Sequence, residues 1–337
     1  MDTAAKASSV AVIGAGSWGT ALAIQLARAG QQPTIWGIEA DVMAEMSSAR
    51  RNSRYLPDVE LPDAVQVCND LHDVLNTHSD FLLCVPSHAL REVLERIGNN
   101  LSEDARVAWA TKGFEMNTGM LPHEVARSVL GDRIPLAVLS GPTFASEVGQ
   151  GLPTAMTVAA TDAAYAEQLA QQLSDRNFRA YTSGDLIGVE VGGAVKNVLA
   201  IATGISDGLG YGANARVALI TRGLAEMTRL GLALGASADT FMGLSGMGDL
   251  VLTCTDNQSR NRRMGLALAA GKSVAEASKE IHQVVEGVNA ARSVREVAAR
   301  EGVEMPICEQ VYRTLYEDSP PDEVVSKLMG RALTSES

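Results

Sequence analysis

Val10-Ala11-Val12-Ile13-Gly14-Ala15-Gly16-Ser17-Trp18-Gly19 sets a Gly-x-Gly-x-x-Gly between a β-branched apolar run and an Ala-rich helical stretch. Strand, glycine turn and helix in that order give each glycine a physical task. Gly14 permits the tight turn, Gly16 lets backbone come close to a diphosphate, and Gly19 lets the helix lie against the strand. The N–H groups and positive dipole at the helix start then face an anion, so the pattern implies a dinucleotide held at the first helix.

Working outward, strand one at Val10 to Ile13, a helix from Trp18 to Ala29 closed by Gly30, and strand two at Pro33 to Trp36 make a βαβ unit. Further strands are expected at Phe81 to Val85, Val107 to Ala110 and Leu136 to Leu139. Their exits are polar: Pro86-Ser87-His88, Thr111-Lys112-Gly113 and Ser140-Gly141-Pro142-Thr143. Ligands of an open parallel sheet gather beyond the carboxyl ends of its strands, which is where these segments stand. Two more runs, Thr154 to Ala159 and Phe178 to Tyr181, are expected to complete the sheet. From about Leu186 the strand-like runs fade. Helices are expected around Val191 to Ile205, Ala213 to Leu234, Arg260 to Ala270, Glu286 to Arg300 and Met305 to Tyr316. The fold class is therefore α/β, a doubly wound Rossmann-type sheet in residues 1–190 followed by an all-helical domain in residues 191–337. The first eight residues and the tail after Arg331 are expected to be disordered.

Composition narrows the function classes. The 337 residues are 46% hydrophobic and carry a net charge of −12, which disfavours a broad nucleic-acid or anionic-membrane surface and leaves anion binding to a few local cations. No uninterrupted apolar run reaches membrane-spanning length, and Met1-Asp2-Thr3-Ala4-Ala5-Lys6 lacks the apolar core of a signal peptide, so a cytoplasmic protein is expected. Cys68, Cys84, Cys254 and Cys308 form no Cys-x-x-Cys pair and the five histidines show no metal-ligand spacing, so buried reduced thiols and no metal are expected.

Among the local cations, Lys196 is the sole charge between Glu190 and Asp207, within Gly192-Gly193-Ala194-Val195-Lys196-Asn197. Desolvation would lower such an ammonium toward a useful proton-transfer range, unless the stem lies along the core and the head reaches water. Asp249 is equally isolated, either as the partner of Lys196 or as a helix N-cap. Lys112 stands on the ligand-binding edge, where a plain surface lysine is the alternative. In Asp256-Asn257-Gln258-Ser259-Arg260-Asn261-Arg262-Arg263, Ser259 is a plausible N-cap that puts Arg260 and Asn261 in a first turn. Cations are disfavoured there unless an anion joins them, and a phosphate could take both the forked Arg contact and helix N–H groups. Arg262 and Arg263 read as a solvated basic turn.

These motifs, with Val85-Pro86-Ser87-His88, Ser140-Gly141-Pro142-Thr143-Phe144-Ala145, Gly208-Leu209-Gly210-Tyr211-Gly212-Ala213-Asn214-Ala215-Arg216 and Gly248-Asp249-Leu250, closely resemble bacterial NAD(P)-dependent glycerol-3-phosphate dehydrogenase over nearly the whole chain. The resemblance implies reversible reduction of dihydroxyacetone phosphate to sn-glycerol 3-phosphate for phospholipid synthesis, by a cytoplasmic homodimer using NAD or NADP. It implies Lys196 as general acid/base supported by Asp249 and Asn197, and Lys112 near both substrate and nicotinamide. It further implies substrate contacts at Gly141, Thr143, Ser259, Arg260 and Asn261, and cofactor contacts at Ser17, Trp18, Ala145, Arg260, Val284 and Glu286.

One position departs from the family. After strand two, relatives tend to carry His or Arg, suited to the extra phosphate of NADP, where this chain has Ile38. Glu39 follows, placed to meet the ribose hydroxyls of NAD, or else simply to open the next helix. Arg51 or Arg54 could still reach the adenosine phosphate, so a weakened NADP preference with use of both cofactors is expected. A β-hydroxyacid or phosphogluconate-type dehydrogenase shares the two-domain plan, but its substrate carries a carboxylate, whereas the Arg-centred site suits a small phosphorylated ketone. A cofactor-sensing regulator could spare the lysines, yet Lys112, Lys196 and Asp249 are all present.

Overall fold

The computed structural model describes residues 9–281 and 284–323; the ends expected to be disordered, and Gln283, lie outside the described residues. The chain divides into two compact units, Met1–Lys112 with Leu121–Val189, and Gly113–Met120 with Glu190–Ser337.

The first unit runs β1 (Val10–Ile13), α1 (Ser17–Arg28), β2 (Thr34–Trp36), α2 (Ala40–Ala49), β3 (Arg51–Asn52), β4 (Leu56–Glu60), β5 (Gln66–Val67), α3 (Leu71–Thr77), β6 (Asp80–Leu83), α4 (Leu90–Gly98), β7 (Arg106–Trp109), α5 (Pro122–Leu130), β8 (Leu136–Ser140), α6 (Ala145–Gln150), β9 (Thr154–Ala160), α7 (Ala163–Leu173) and β10 (Phe178–Ser183). Eight strands form one sheet in the order β10-β9-β8-β7-β6-β1-β2-β5, and β3 with β4 makes a separate hairpin. Strand β1 pairs in parallel with β2 on one side and β6 on the other, so the winding reverses beside β1. Val10, Val12, Ile13 and Leu82 are buried, as expected of strands covered on both faces. At the start of β6 and β7, Arg106 grips Asp80 with two hydrogen bonds of 2.6 and 2.7 Å and lies over the Tyr165 ring.

The far side of the sheet departs from a uniformly parallel arrangement, because β9 runs antiparallel to β8 and β10 follows β9. A parallel return needs a connection that travels the length of the strand. Helix α6 has six residues and advances only about 9 Å, against about 17 Å for the five residues of β8. It packs beside α1 and β4 instead, and the chain re-enters the sheet from the same edge.

The second unit contains most of α8 (Leu186–Gly208), then α9 (Gly212–Ala233), α10 (Ala238–Phe241), a π-helical turn at Leu244–Gly248, α11 (Asp249–Thr255), α12 (Arg260–Ala269), α13 (Val274–Ile281), α14 (Glu286–Arg300) and α15 (Pro306–Tyr316). Helix α8 begins five residues before the expected Val191, because Asp185 caps it: its carboxylate accepts the Gly188 N–H at 2.8 Å. By length and composition α8 could cross a membrane, yet 94% of its 18-residue apolar stretch is buried inside the protein. Its neighbours approach at backbone distance. A Cβ on Gly204 would lie 2.2 Å from the Arg262 carbonyl oxygen, and one on Gly265 would lie 2.2 Å from that of Ile201, so α8 and α12 meet through glycines. Residues 113–120 group with these helices, where Arg300 donates to the Thr118 carbonyl at 3.4 Å. Buried Glu226 of α9 accepts the N–H groups of Ile307 and Cys308 at 2.7 and 3.2 Å, capping α15.

Candidate active site

In the first unit the glycine turn is built by contact. Gly14 has φ +121° and donates its N–H to the Trp36 carbonyl at 2.7 Å, while a Cβ there would sit 2.5 Å from the Cys84 carbonyl oxygen. A Cβ on Gly19 would lie 1.9 Å from the Gly14 oxygen, so α1 starts flush against the turn only because residue 19 is glycine. Gly16 has nothing within 4 Å of its would-be Cβ, and no side chain caps α1 there. An open helix N-terminus led by Ser17 and Trp18 fits a dinucleotide diphosphate. Asn52 of β3 braces the turn, its Nδ2 donating to the Ala15 carbonyl and to Thr20 Oγ1, each at 2.8 Å.

Strands β1, β6, β7 and β8 are mutually parallel, so Gly14, Cys84, Lys112, Gly141 and Thr143 follow strand ends on one edge of the sheet. Thr111 Oγ1 donates to the Val85 carbonyl at 2.7 Å, joining two of these exits, and the half-buried Lys112 comes next. At Gly141, φ +156°, a Cβ would press on Met156 Cα at 2.8 Å, and Thr143 Oγ1 donates to the Gly141 carbonyl at 3.2 Å. Ala145 opens α6. Beyond β2, Ile38 is 77% exposed, and Glu39 accepts hydrogen bonds from Arg54 and from the Tyr55 hydroxyl, each at 3.0 Å. Arg54 also pairs with Asp41, which holds that carboxyl below the usual range. This rim therefore sets two carboxylates around one guanidinium.

In the second unit Lys196 is buried, and its Nζ donates to Asp249 Oδ1 at 2.5 Å and to Thr253 Oγ1 at 3.1 Å. The Thr253 hydroxyl donates in turn to the Asp249 carbonyl at 2.6 Å. Asp249 is the first residue of α11, whose cap is Gly248, so its carboxylate serves the lysine rather than the helix end. Beside this pair, Asn197 donates to the Gly193 carbonyl at 3.2 Å and accepts from Asn261 Nδ2 at 2.8 Å, while Asn261 Oδ1 accepts the Gly287 N–H at 2.9 Å. Ser259 caps α12, its hydroxyl accepting the Arg262 N–H at 3.2 Å. Arg260 in the first turn donates to the Val284 carbonyl at 3.1 Å. Burial lowers its pKa and nearby Glu286, the first residue of α14, opposes that shift. Val284 is 44% exposed.

The second unit thus joins Lys196 to Asp249, Asn197 to Asn261 and Arg260 to Val284, and the first unit gathers the glycine turn and the strand exits. Three features escaped the sequence. Thr253 stands four residues after Asp249, on the same helix face, the one signal that pointed to it. Asn52 lies far from its turn in sequence and carried no local mark. Arg262, expected as a solvated residue, is only 6% exposed, whereas Arg263 is exposed; the close α8–α12 packing encloses the former. Of the thiols expected to be buried, Cys254 and Cys308 are, while Cys68 and Cys84 are only partly so. Among the described residues no group of three His, Cys, Asp or Glu could hold a metal.

Both units have known relatives. Residues 9–166 match the family described as NAD-dependent glycerol-3-phosphate dehydrogenase N-terminus, and residues 185–326 match its C-terminus. The chain is 56% identical over 337 residues to a glycerol-3-phosphate dehydrogenase (NAD(P)+) of Pseudoalteromonas translucida, with 100% of each chain covered. It is 54% identical to the protein of the same name from Idiomarina loihiensis, covering 97% of this chain and 98% of that one. A crystal structure of glycerol-3-phosphate dehydrogenase from Coxiella burnetii superposes with a TM-score of 0.93 at 47% identity, covering 96% of this chain and 99% of that chain.

Proposed function

The chain belongs to the NAD-dependent glycerol-3-phosphate dehydrogenase family, and from that premise we propose how its own residues carry the reaction. The protein is an NAD(P)-dependent oxidoreductase that interconverts dihydroxyacetone phosphate and sn-glycerol 3-phosphate. The cofactor, when bound, supplies the hydride for C2 of the ketone. Lys196 gives a proton to the C2 oxygen as its charge develops and takes it back in the reverse direction. Asp249 and Thr253 hold that ammonium in one direction, so little reorganisation is needed when charge appears on the substrate. Lys112 adds positive charge toward the same oxygen. Ser259, Arg260 and Asn261 take the phosphate at the start of α12, where a helix N-terminus and a guanidinium act on one anion. Asn197 orients Asn261, and Gly141 and Thr143 meet the substrate from the sheet edge.

Gly14, Gly16, Ser17, Trp18 and Gly19 hold the diphosphate of the cofactor, with Ala145, Lys112, Arg260, Val284 and Glu286 as further contacts. Ile38 and Glu39 form the adenosine rim, where Glu39 favours NAD and weakens the preference for NADP. The family resemblance extends the reading to a cytoplasmic homodimer supplying sn-glycerol 3-phosphate for phospholipid synthesis, with no membrane insertion and no nucleic-acid partner.

The buried ammonium of Lys196, held at 2.5 Å by Asp249, carries this reading. Oxidation of NADH and NADPH is to be followed with dihydroxyacetone phosphate and with a keto acid of the same carbon number. Turnover is expected with the phosphorylated ketone. Turnover with the keto acid alone would overturn the assignment.

A further inference from the structure

Arg262 stands beside the phosphate-binding residues, yet its guanidinium is committed to other protein groups. Its Nε donates to the Cys254 carbonyl at 3.2 Å, Nη1 to Asn257 Oδ1 at 2.6 Å and Nη2 to Asp207 Oδ2 at 2.5 Å. Those partners belong to the last turn of α11, the turn that feeds α12, and the last turn of α8. The Arg262 N–H also closes on Ser259 Oγ, so both its side chain and its backbone grip residues 257–259.

Asp207 is the node. It takes Arg262 and also Arg216 Nη1 at 3.2 Å, with the carboxylate 11% exposed and the two guanidinium side chains 8% and 26%. The reaction chemistry leaves the intervening Gly208-Leu209-Gly210-Tyr211-Gly212 run without a task, and the ion pairs give it one. Gly210 and Gly212, with φ +81° and +79°, turn the chain between α8 and α9 so that Arg216 comes back to the carboxylate. At the close α8–α12 contact the Arg262 carbonyl oxygen lies against Gly204, which sets Arg262 beside the last turn of α8.

We propose that Asp207 and Arg262 are positioning residues for the phosphate end of the substrate: together with Asn257 they fix residues 257–259, and through them Ser259, Arg260 and Asn261, on the end of the helix that carries Lys196. The pairing also commits the charge of Arg262 to Asp207 and leaves the phosphate to Arg260. This rests on the assignment of the α12 N-terminus as the phosphate site.

The test uses Arg262→Lys, Asp207→Asn and the milder Asn257→Ala, which leaves the ion pair intact. Lysine keeps the charge but lacks the planar fork whose three nitrogens reach the separated Cys254, Asn257 and Asp207 acceptors. For each variant, kcat and KM for dihydroxyacetone phosphate and kcat/KM for unphosphorylated dihydroxyacetone are measured beside the wild type. Loss of alignment at a charge-assisted phosphate contact is expected to raise KM for dihydroxyacetone phosphate about ten- to hundredfold in Arg262→Lys and Asp207→Asn. A few-fold rise is expected in Asn257→Ala. The dihydroxyacetone kcat/KM stays within about threefold of wild type, a pattern that general loss of fold does not produce. Equal losses with both ketones, or an unchanged KM for dihydroxyacetone phosphate, would overturn the proposal. A wild-type enzyme inert toward dihydroxyacetone phosphate would overturn the underlying assignment instead.

Discussion

Replacing Lys196 by Met leaves the Asp249 carboxylate, 1% exposed, without its ammonium partner. A buried charge stripped in this way typically costs about 3–5 kcal/mol, whereas replacing both partners by apolar residues of similar volume is often close to neutral. The single variants Lys196→Met and Asp249→Leu should therefore each lose about 3–5 kcal/mol, and the double variant should regain most of it. At about 2–4 °C per kcal/mol for a unit of this size, each single variant melts roughly 6–20 °C below wild type. The assay is urea and thermal unfolding followed by far-ultraviolet circular dichroism, with reductase activity measured on the same samples. All three variants should be inactive, since the proton donor or its orientation is lost, so stability returns in the double variant without activity. A double variant as unstable as the sum of the singles would refute the coupling. Near wild-type turnover in Lys196→Met would refute the role of the lysine.

Gly19→Ala should destabilise the first unit by about 1–3 kcal/mol, because its Cβ meets the Gly14 oxygen, whereas Gly16→Ala should fold normally and bind NADH at least about tenfold more weakly; melting temperature and NADH titration separate the two, and the reverse pattern would contradict the cradle. Glu39→Ser should raise kcat/KM for NADPH relative to NADH by about fivefold or more, since even in bulk water two like charges at 4 Å repel by about 1 kcal/mol; an unchanged ratio would remove Glu39 from cofactor choice. Burial pushes the Glu226 carboxyl up against the opposing pull of the Ile307 and Cys308 N–H groups. The folded protein then holds this proton to higher pH than the unfolded chain, so the stabilisation is complete below about pH 4.5 and is lost as pH rises through the folded value. The unfolding free energy of wild type minus that of Glu226→Gln should fall between about pH 4 and pH 7, and a rise over that interval would reverse the sign assigned to this group.

Local sterics made much of the fold legible. Helix α14 occupies the expected Glu286 to Arg300 because Ala290, Ala291, Val294, Val297 and Ala298 recur at helical spacing on its buried side. The glycine turn is readable because each glycine answers a contact made by the strand, turn and helix around it. What stayed hidden depends on partners remote in sequence. Asn52 and Thr253 are ordinary polar residues until the fold brings them to Ala15 and Lys196. The burial of Arg262 follows from helices meeting through Gly204 and Gly265, and the reversal of β9 follows from where α6 packs. No periodicity in a single segment records either.

If Lys196 protonates the substrate oxygen during reduction of dihydroxyacetone phosphate, the most direct test is kcat for NADH oxidation by Lys196→Ala beside wild type at saturating ketone. Loss of a positioned general acid should lower kcat by about 10²–10⁴-fold while NADH still binds. A variant that turns over within a few-fold of wild type would contradict the role given to this lysine.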